Sequence, residues 1–320
     1  MEDTTAVDFN IQAEEPETNA TDIVGINKQT FGQKLKSYTR KPTSLIMLIL
    51  VIGAAVITLA VLIFIIAYIL INGVPNLSWS LFRWNYNSEN SSMMPAIINT
   101  VIMTILALLI SVPFGIGAAV YLVEYAKRGN RLVGIVRITA ETLTGIPSIV
   151  YGLFGMLFFV TQLKWRLSML AGAFTLAIMI LPVIMRTTEE ALMAVPDSYR
   201  EGSFGLGAGK FRTVFKIILP SAMPGILSGV ILAIGRIVGE TAALMYTAGT
   251  VPAVQGLLSS GRTLAVHMYV LSSEGLYMGP AYATAVILLV VVLLMNLGSS
   301  LIAKPVSYTH LRAHETLSDL

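Results

Sequence analysis

The sequence contains no cysteine and few charged residues, and each shortage excludes a class of function. Without cysteine there is no disulfide, no thiol nucleophile and no Cys-ligated metal. Charged residues make up 12% of the chain, whereas an ordinary soluble domain has about 25%. Of the three histidines, His310 and His314 form an i, i+4 pair without a third ligand, so we predict no metal site. The 55% share of hydrophobic residues predicts a protein of the lipid bilayer.

Long apolar runs are abundant. Crossing a hydrocarbon core takes roughly 20 apolar residues, because lipid offers no partner to free backbone groups. We therefore predict an all-α integral membrane protein with one membrane domain over residues 44–304. We expect residues 1–43 to be a disordered cytoplasmic tail, and 305–320, which resemble translated sequencing-adapter sequence, not to be native. The six predicted spans are about 44–71, 96–123, 138–161, 168–185, 222–249 and 280–303.

The positions of the basic residues predict the orientation. If the N-terminus is inside, most of the 21 Lys and Arg residues fall in inner segments. The outer segments then hold Arg83, Lys164, Arg166 and Arg262. Cytoplasmic loops of membrane proteins carry such an excess of Lys and Arg. We therefore predict a multi-pass plasma membrane protein with both termini in the cytoplasm, and no binding of nucleic acid.

The longest inner segment, residues 186–220, is too polar to lie in lipid. Its apolar residues recur at helical spacing, so it is either a solvated connector or a set of short helices that docks a partner. It is not a nucleotide-binding loop: at Gly209-Lys210 that motif would place Phe204 where glycine is needed and Phe211 where a hydroxyl is needed. We therefore predict that this chain is not an enzyme and that another chain hydrolyses ATP.

Two ionisable residues, Arg236 and Glu240, fall inside the predicted fifth span at a spacing that shares one helix face. Such residues usually face a bundle interior or an aqueous path. In one interpretation they neutralise each other and lock the helix to its neighbour. In the other, the guanidinium of Arg236 grips a tetrahedral oxyanion. Glu240 then orients Arg236 and accepts a hydrogen bond from a protonated phosphate oxygen, which sulfate lacks. Weaker candidates for the substrate path are Glu141, Arg186 and Thr241.

Several stretches resemble the A-type (PstA-type) permeases of phosphate-specific ABC importers, which are binding-protein-dependent inner-membrane components. The resemblance covers about residues 99–303. The stretches that carry it are GIPSIVYGLFG from Gly145, ILPVIMRTTEEALMAVP from Ile180, YREGSFGLGAGKFRTVFKIILPSAMPGILSG from Tyr199 and GRIVGETAALMYTAG from Gly235.

The resemblance implies a MetI-like fold and transport of inorganic phosphate. It also implies a C-type permease as heterodimer partner, two copies of a cytoplasmic ATPase that uses ATP and Mg, and an external phosphate-binding protein. Arg236 and Glu240 match the family's polar pair in the translocation path. The ATPase-coupling motif matches in spacing, with Gly202 and Ser203 replacing two alanines. Its residues here are Glu201, Gly202, Ser203, Gly207, Ile217, Leu219 and Pro220.

Three alternatives remain open. The chain is a C-type subunit or a permease for another oxyanion, an ion-coupled secondary transporter, or a membrane-embedded enzyme. A secondary transporter is expected to show paired inverted repeats and no docking loop. A membrane enzyme is expected to show His, Cys or Asp clusters within its spans.

Overall fold

The computed structural model describes residues 42–315, except Arg128, Glu274 and Leu276, and describes side chains within residues 43–299. The predicted N-terminal tail up to residue 41 and the last five residues of the predicted non-native tail lie outside the described residues. The chain separates into two compact units, Met1–Ile65 and Ile66–Leu320. Of the first unit, the structure describes residues 42–65, which form the N-terminal part of one helix. The helices of the second unit pack against one another.

Every regular element in the described part is helical. The helices are α1 Pro42–Gly73, α2 Met94–Val120, α3 Arg131–Thr144, α4 Ser148–Gly155, α5 Met169–Met193, α6 Asp197–Gly205, α7 Lys210–Thr213, α8 Leu219–Val238, α9 Ala242–Thr247, α10 Leu264–Ser273 and α11 Met278–Glu315. Helix α2 continues through a π-helical turn, Tyr121–Tyr125, and α4 through another, Met156–Gln162. A third π-helical turn, Val214–Ile218, joins α7 to α8.

Five helices in the described part are long and apolar enough to cross a membrane, and one bent pair makes up to six spans. The expected all-α membrane fold is therefore confirmed. The five straight segments are Thr43–Asn76, Met94–Tyr125, Met169–Met193, Lys210–Val238 and Met278–Ser299.

The third span differs from its prediction. Residues 138–161 do not form one kinked helix, because α3 and the helix that starts at Ser148 meet at 102°. Pro147 has no backbone N–H and restricts the residue before it, so the helix ends at Thr144. The backbone N–H groups of Gly145 and Ile146 bond back to Thr142 and Leu143 at 3.1 and 3.2 Å. The span is thus two half-helices.

The fourth and fifth spans also have different bounds from those predicted. Helix α5 does not end at residue 185 but continues to Met193. The charged side chains in this extension, Arg186, Glu189 and Glu190, all form ion pairs. The fifth span begins at Lys210 instead of 222, inside the predicted docking loop, and ends at Val238 instead of 249. The Gly239 N–H bonds to Gly235 at 3.3 Å, and the chain then leaves the helix.

Three clusters of buried side chains hold the described part of the second unit together, and the smallest includes Leu81, Met93 and Leu264. The largest lies between α2, α4, α5, α8 and α9, and includes Met103, Tyr151, Leu176, Met179, Ile237 and Leu244. The second lies where α2 and α5 end, and includes Leu122, Met185, Leu192, Val214, Ile218 and Ile226. Close packing rests on small residues: a Cβ on Gly115 would lie 2.8 Å from Ile184 Cγ2. Small residues let membrane helices approach closely.

Candidate functional site

Arg236 and Glu240 do not form the predicted pair on one helix face. Arg236 lies half-buried in the last turn of α8, whereas Glu240 lies in the break between α8 and α9 and is 8% exposed. No ion pair in the described part of the chain joins them. Instead, Glu240 Oε1 accepts a hydrogen bond from the backbone N–H of Ala243 at 3.0 Å. The predicted geometry is wrong because the helix ends at Val238, and the neutralising-pair interpretation loses its basis.

The break after α8 packs against the half-helix that follows the break in the third span. A Cβ on Gly152 would lie 2.8 Å from Ala243 Cα, so α4 and α9 touch backbone to backbone. Tyr151 shares a buried cluster with Ile237 and Leu244, and its hydroxyl donates to the carbonyl of Leu143 at 2.8 Å. Irregular backbone at membrane depth is tolerated only where it is buried in protein or lines a cavity. The two breaks therefore mark a candidate site.

Arg236 and Thr241 lie at this junction. Arg236 is partly buried in the last turn of α8, and its neighbour Ile237 shares a buried cluster with Tyr151 of α4. Thr241 is the residue before α9, is partly buried and makes no side-chain cap. Discontinuous helices that expose such termini are where many transporters bind their substrates. The junction offers a guanidinium, a carboxylate and a hydroxyl to a polar ligand.

The weaker candidates Glu141 and Arg186 are brought together at a second position. Arg186 Nη1 lies 3.3 Å from Glu141 Oε1, and its Nε lies 3.2 Å from Glu190 Oε1. A reciprocal pair joins Arg137 of α3 to Glu189 of α5, with Nη2 and Oε1 at 2.5 Å. These residues border a cavity of about 230 Å³. They form an ion-pair clasp between α3 and α5.

The sequence reasoning missed Arg137, Glu189 and Glu190 in this clasp. A signal was present: Arg137 and Glu141 are four residues apart, as are Arg186 and Glu190, so each pair shares a helix face. What the sequence does not show is that the two faces oppose each other. Arg186, Glu141 and Glu190 keep half or more of their side-chain surface exposed, so a polar ligand can reach them.

The predicted coupling motif lies on α6 and the turn after it. Glu201 and Gly202 are exposed on α6, and a Cβ on Gly202 would meet no atom within 4 Å. Ser203 is buried, and its hydroxyl lies 2.8 Å from Thr213 Oγ1. Gly207 has φ of +80°, a conformation that favours glycine. The later members, Ile217, Leu219 and Pro220, lie in the continuous helix Lys210–Val238.

Large apolar side chains around α6 are exposed. Leu206 is 91% exposed and Phe211 69% exposed, and Phe204 and Tyr199 are exposed as well. They lie in a segment that also carries Arg200, Glu201 and Lys210, so it does not resemble a lipid-facing span. Apolar patches rimmed by polar residues mark protein interaction sites. The geometry favours docking over a solvated connector.

Residues 111–308 match the family model described as a binding-protein-dependent transport system inner membrane component. The chain belongs to this family. It is 33% identical over 264 residues to the probable ABC transporter permease protein YqgI of Bacillus subtilis, which covers 77% of this chain and 90% of that protein. It is 40% identical over 213 residues to the phosphate transport system permease protein PstA of Pasteurella multocida, covering 66% and 75% of the two chains.

A solved structure supports the fold. A chain of a bacterial alginate ABC transporter, in complex with an alginate pentasaccharide-bound periplasmic protein, superposes with a TM-score of 0.63. It is 15% identical and covers 84% of this chain and 97% of that one. The expected importer-permease architecture is thus confirmed, as is the resemblance to PstA-type permeases.

Proposed function

We infer that this chain is the transmembrane permease subunit of an ATP-driven importer that moves inorganic phosphate into the cytoplasm. The observation that carries this function is the 40% identity over 213 residues to a phosphate transport permease. A secondary transporter is less well supported, because the family model and the relatives agree on an ABC permease. A C-type subunit and a permease for another oxyanion are less well supported, because several similar proteins are phosphate permeases of the PstA type.

Arg236 and Glu240 have different tasks in this function. Arg236, at the end of α8, offers a planar fork of donors to two oxygens of a phosphate. Glu240 is fixed by the Ala243 N–H through Oε1, so its second oxygen stays available to accept a hydrogen bond from a protonated phosphate oxygen. Glu240 does not orient Arg236 through an ion pair, since none joins them in the described part. Thr241, Glu141 and Arg186 supply further polar contacts along the path.

The importer needs partners that this chain does not contain. We assign ATP hydrolysis, with its ATP and Mg, to a cytoplasmic ABC ATPase that binds the exposed face of α6 and the side chains of Leu206 and Phe211. A C-type permease completes the translocation path as a heterodimer, and an external phosphate-binding protein delivers the substrate. With α6 inside, both termini of the six-span chain face the cytoplasm.

Uptake by reconstituted complexes tests the site. Proteoliposomes contain this chain with the C-type permease and ATPase, with binding protein outside and ATP inside. The change Arg236→Ala abolishes uptake while the complex still assembles and hydrolyses ATP. The control is Arg83→Ala, which removes an exposed arginine outside the spans and leaves uptake unchanged. Wild-type uptake in the Arg236→Ala complex would remove Arg236 from the path.

A further inference from the structure

Arg200, next to the coupling-motif residue Glu201, donates hydrogen bonds from all of its guanidinium N–H groups. Its Nε and Nη2 donate to Glu124 Oε1 at 3.1 and 2.7 Å, and Nη2 also donates to the carbonyl of Leu192 at 3.0 Å. Its Nη1 donates to the carbonyl of Val195 at 2.9 Å and to Asp197 Oδ1 at 3.1 Å. Because a guanidinium has five N–H donors, the side chain is fully satisfied and held in one orientation.

The acceptors belong to different elements. Glu124 lies in the π-helical turn that ends the second span, and Leu192 lies in the last turn of α5. The Arg200 and Glu124 side chains are only 16% and 8% exposed. Exposed ion pairs are weak, whereas a shielded arginine–carboxylate pair with charge-assisted hydrogen bonds has a fixed geometry. Arg200 therefore joins α6 to the ends of two membrane helices.

The rest of α6 is open to a partner on one side and tied to the fifth span on the other. Glu201, Gly202 and Phe204 are exposed. Ser203 bonds to Thr213 at 2.8 Å, within the continuous helix Lys210–Val238. Movement of α6 is thus transmitted to the second and fourth spans through the contacts of Arg200, and to the fifth span through the contact of Ser203.

We propose that Arg200 and Glu124 form a positioning pair that transmits movement of α6 to the membrane helices. This rests on the proposed function, in which α6 docks the ATPase. Through the Leu192 carbonyl, movement of Arg200 shifts the inner end of α5, which carries Arg186 and Glu189. These two are bound to α3, so the shift acts on the bent third span. ATPase closure and the half-helices of the site are connected by one chain of contacts.

The test compares the number of phosphates imported per ATP hydrolysed in proteoliposomes. In Arg200→Gln and Glu124→Gln we expect assembled complexes that still hydrolyse ATP but have a ratio lower by about tenfold or more, because each variant loses charge-assisted hydrogen bonds between Arg200 and Glu124. The exchange Arg200→Glu with Glu124→Arg restores part of the ratio. Lys127→Gln is the control. Lys127 lies three residues from Glu124, its side chain is exposed, and it forms no ion pair among the described residues.

Each outcome decides the proposal. A wild-type ratio in both glutamine variants would overturn it. If Arg200→Gln does not assemble, Glu124→Gln decides alone, and failure of both to assemble would make the pair structural, which also overturns the proposal. Failure of the phosphate function is a separate result: the wild type then imports no phosphate, and the ratio is measured with the oxyanion that it does import.

Discussion

At the scale of single residues, Glu240 has a structural role at the start of α9 and a proposed role in binding the substrate. Its Oε1 closes the first turn of α9 by accepting from the Ala243 N–H, and the residue is buried in the break between two helices. A capping acceptor of this kind stabilises a helix start by about 1 kcal/mol. In the proposed function, the second oxygen of the same carboxylate accepts a hydrogen bond from the substrate.

Replacing Glu240 by alanine and by glutamine separates these roles. Glu240→Ala removes the cap, and we expect a loss of about 1 kcal/mol together with loss of uptake. Glu240→Gln keeps an oxygen that accepts from Ala243, so stability is retained while discrimination against sulfate declines. Thermal unfolding of the purified complex measures the first effect, and uptake of phosphate in the presence of sulfate measures the second. A transport-competent Glu240→Gln complex with wild-type selectivity would contradict the account.

His267 provides a pH-dependent prediction outside the spans. It lies in α10, and burial, with a smaller contribution from the charge of Arg262, lowers the pKa of its imidazole to about 3, although the Ser91 backbone opposes this. An unfolded histidine has a pKa of about 6.5, so below that pH the unfolded chain binds more protons than the native one. The native state therefore loses stability as the pH falls from about 6.5 towards 3.

The measurement is the unfolding midpoint against pH in detergent, for wild type and His267→Gln. The wild type should lose up to about 1.4 kcal/mol per pH unit below pH 6.5 from this residue alone. Glutamine does not titrate, so the variant should lose this part of the pH dependence even if its stability near pH 7 is lower. An identical slope in both proteins would show that folding does not lower the pKa of His267.

At the scale of helices, the sequence predicts where spans exist better than where they break. Hydropathy predicts six spans, because any long apolar segment satisfies the bilayer, and the described part has five such helices and one bent pair. The break at Gly145–Pro147 has a sequence signal, since proline cannot continue the bonding pattern, but that signal does not give the 102° angle. The break at Gly239 has no proline, and apolar residues continue beyond it to about residue 249, so the sequence predicts one continuous span. Only the packing of α9 against α4 reveals it.

That packing predicts a large difference between two similar glycine substitutions in the third span. A methyl group on Gly152 meets the Ala243 Cα at 2.8 Å, so Gly152→Ala should push α4 away from α9. We expect a destabilisation of about 1–3 kcal/mol, as for other overpacked sites, and impaired uptake. The control Gly134→Ala lies in α3 with no atom within 4 Å, and should be neutral or slightly stabilising. Thermal unfolding of both variants distinguishes them, and equal stability would rule out the close contact.

The ion-pair clasp and the Arg200 contacts mark the limit of prediction at this scale. The sequence singles out Glu141 and Arg186 because they are charges near predicted span ends. It does not reveal that Arg137 and Glu189 lie beside them, or that Glu124 pairs with Arg200, because such contacts join residues that are 45 to 76 positions apart. Spacing along one helix is visible in a sequence, whereas the face that another helix presents depends on tertiary packing.

For the whole molecule, the absence of cysteine makes the orientation directly measurable. Single cysteines introduced in that background react with a maleimide that does not cross membranes, and no native thiol interferes. Ser88→Cys lies on an exposed loop between the first two spans, and Lys127→Cys lies between the second and third. With the termini inside, intact cells should label Ser88→Cys, and Lys127→Cys should react only after permeabilisation. The reverse pattern would invert the topology.

The central claim concerns the complete importer, and ATP-dependent uptake of phosphate tests it most directly. Proteoliposomes hold the wild-type chain with its C-type partner and ATPase, with phosphate-binding protein and labelled phosphate outside. We predict that phosphate accumulates when ATP is enclosed and does not accumulate with an ATPase that cannot hydrolyse ATP. When labelled sulfate is supplied in place of phosphate, we predict no accumulation of sulfate. A fully assembled complex that hydrolyses ATP but accumulates no phosphate, or accumulates it without ATP, would contradict the account.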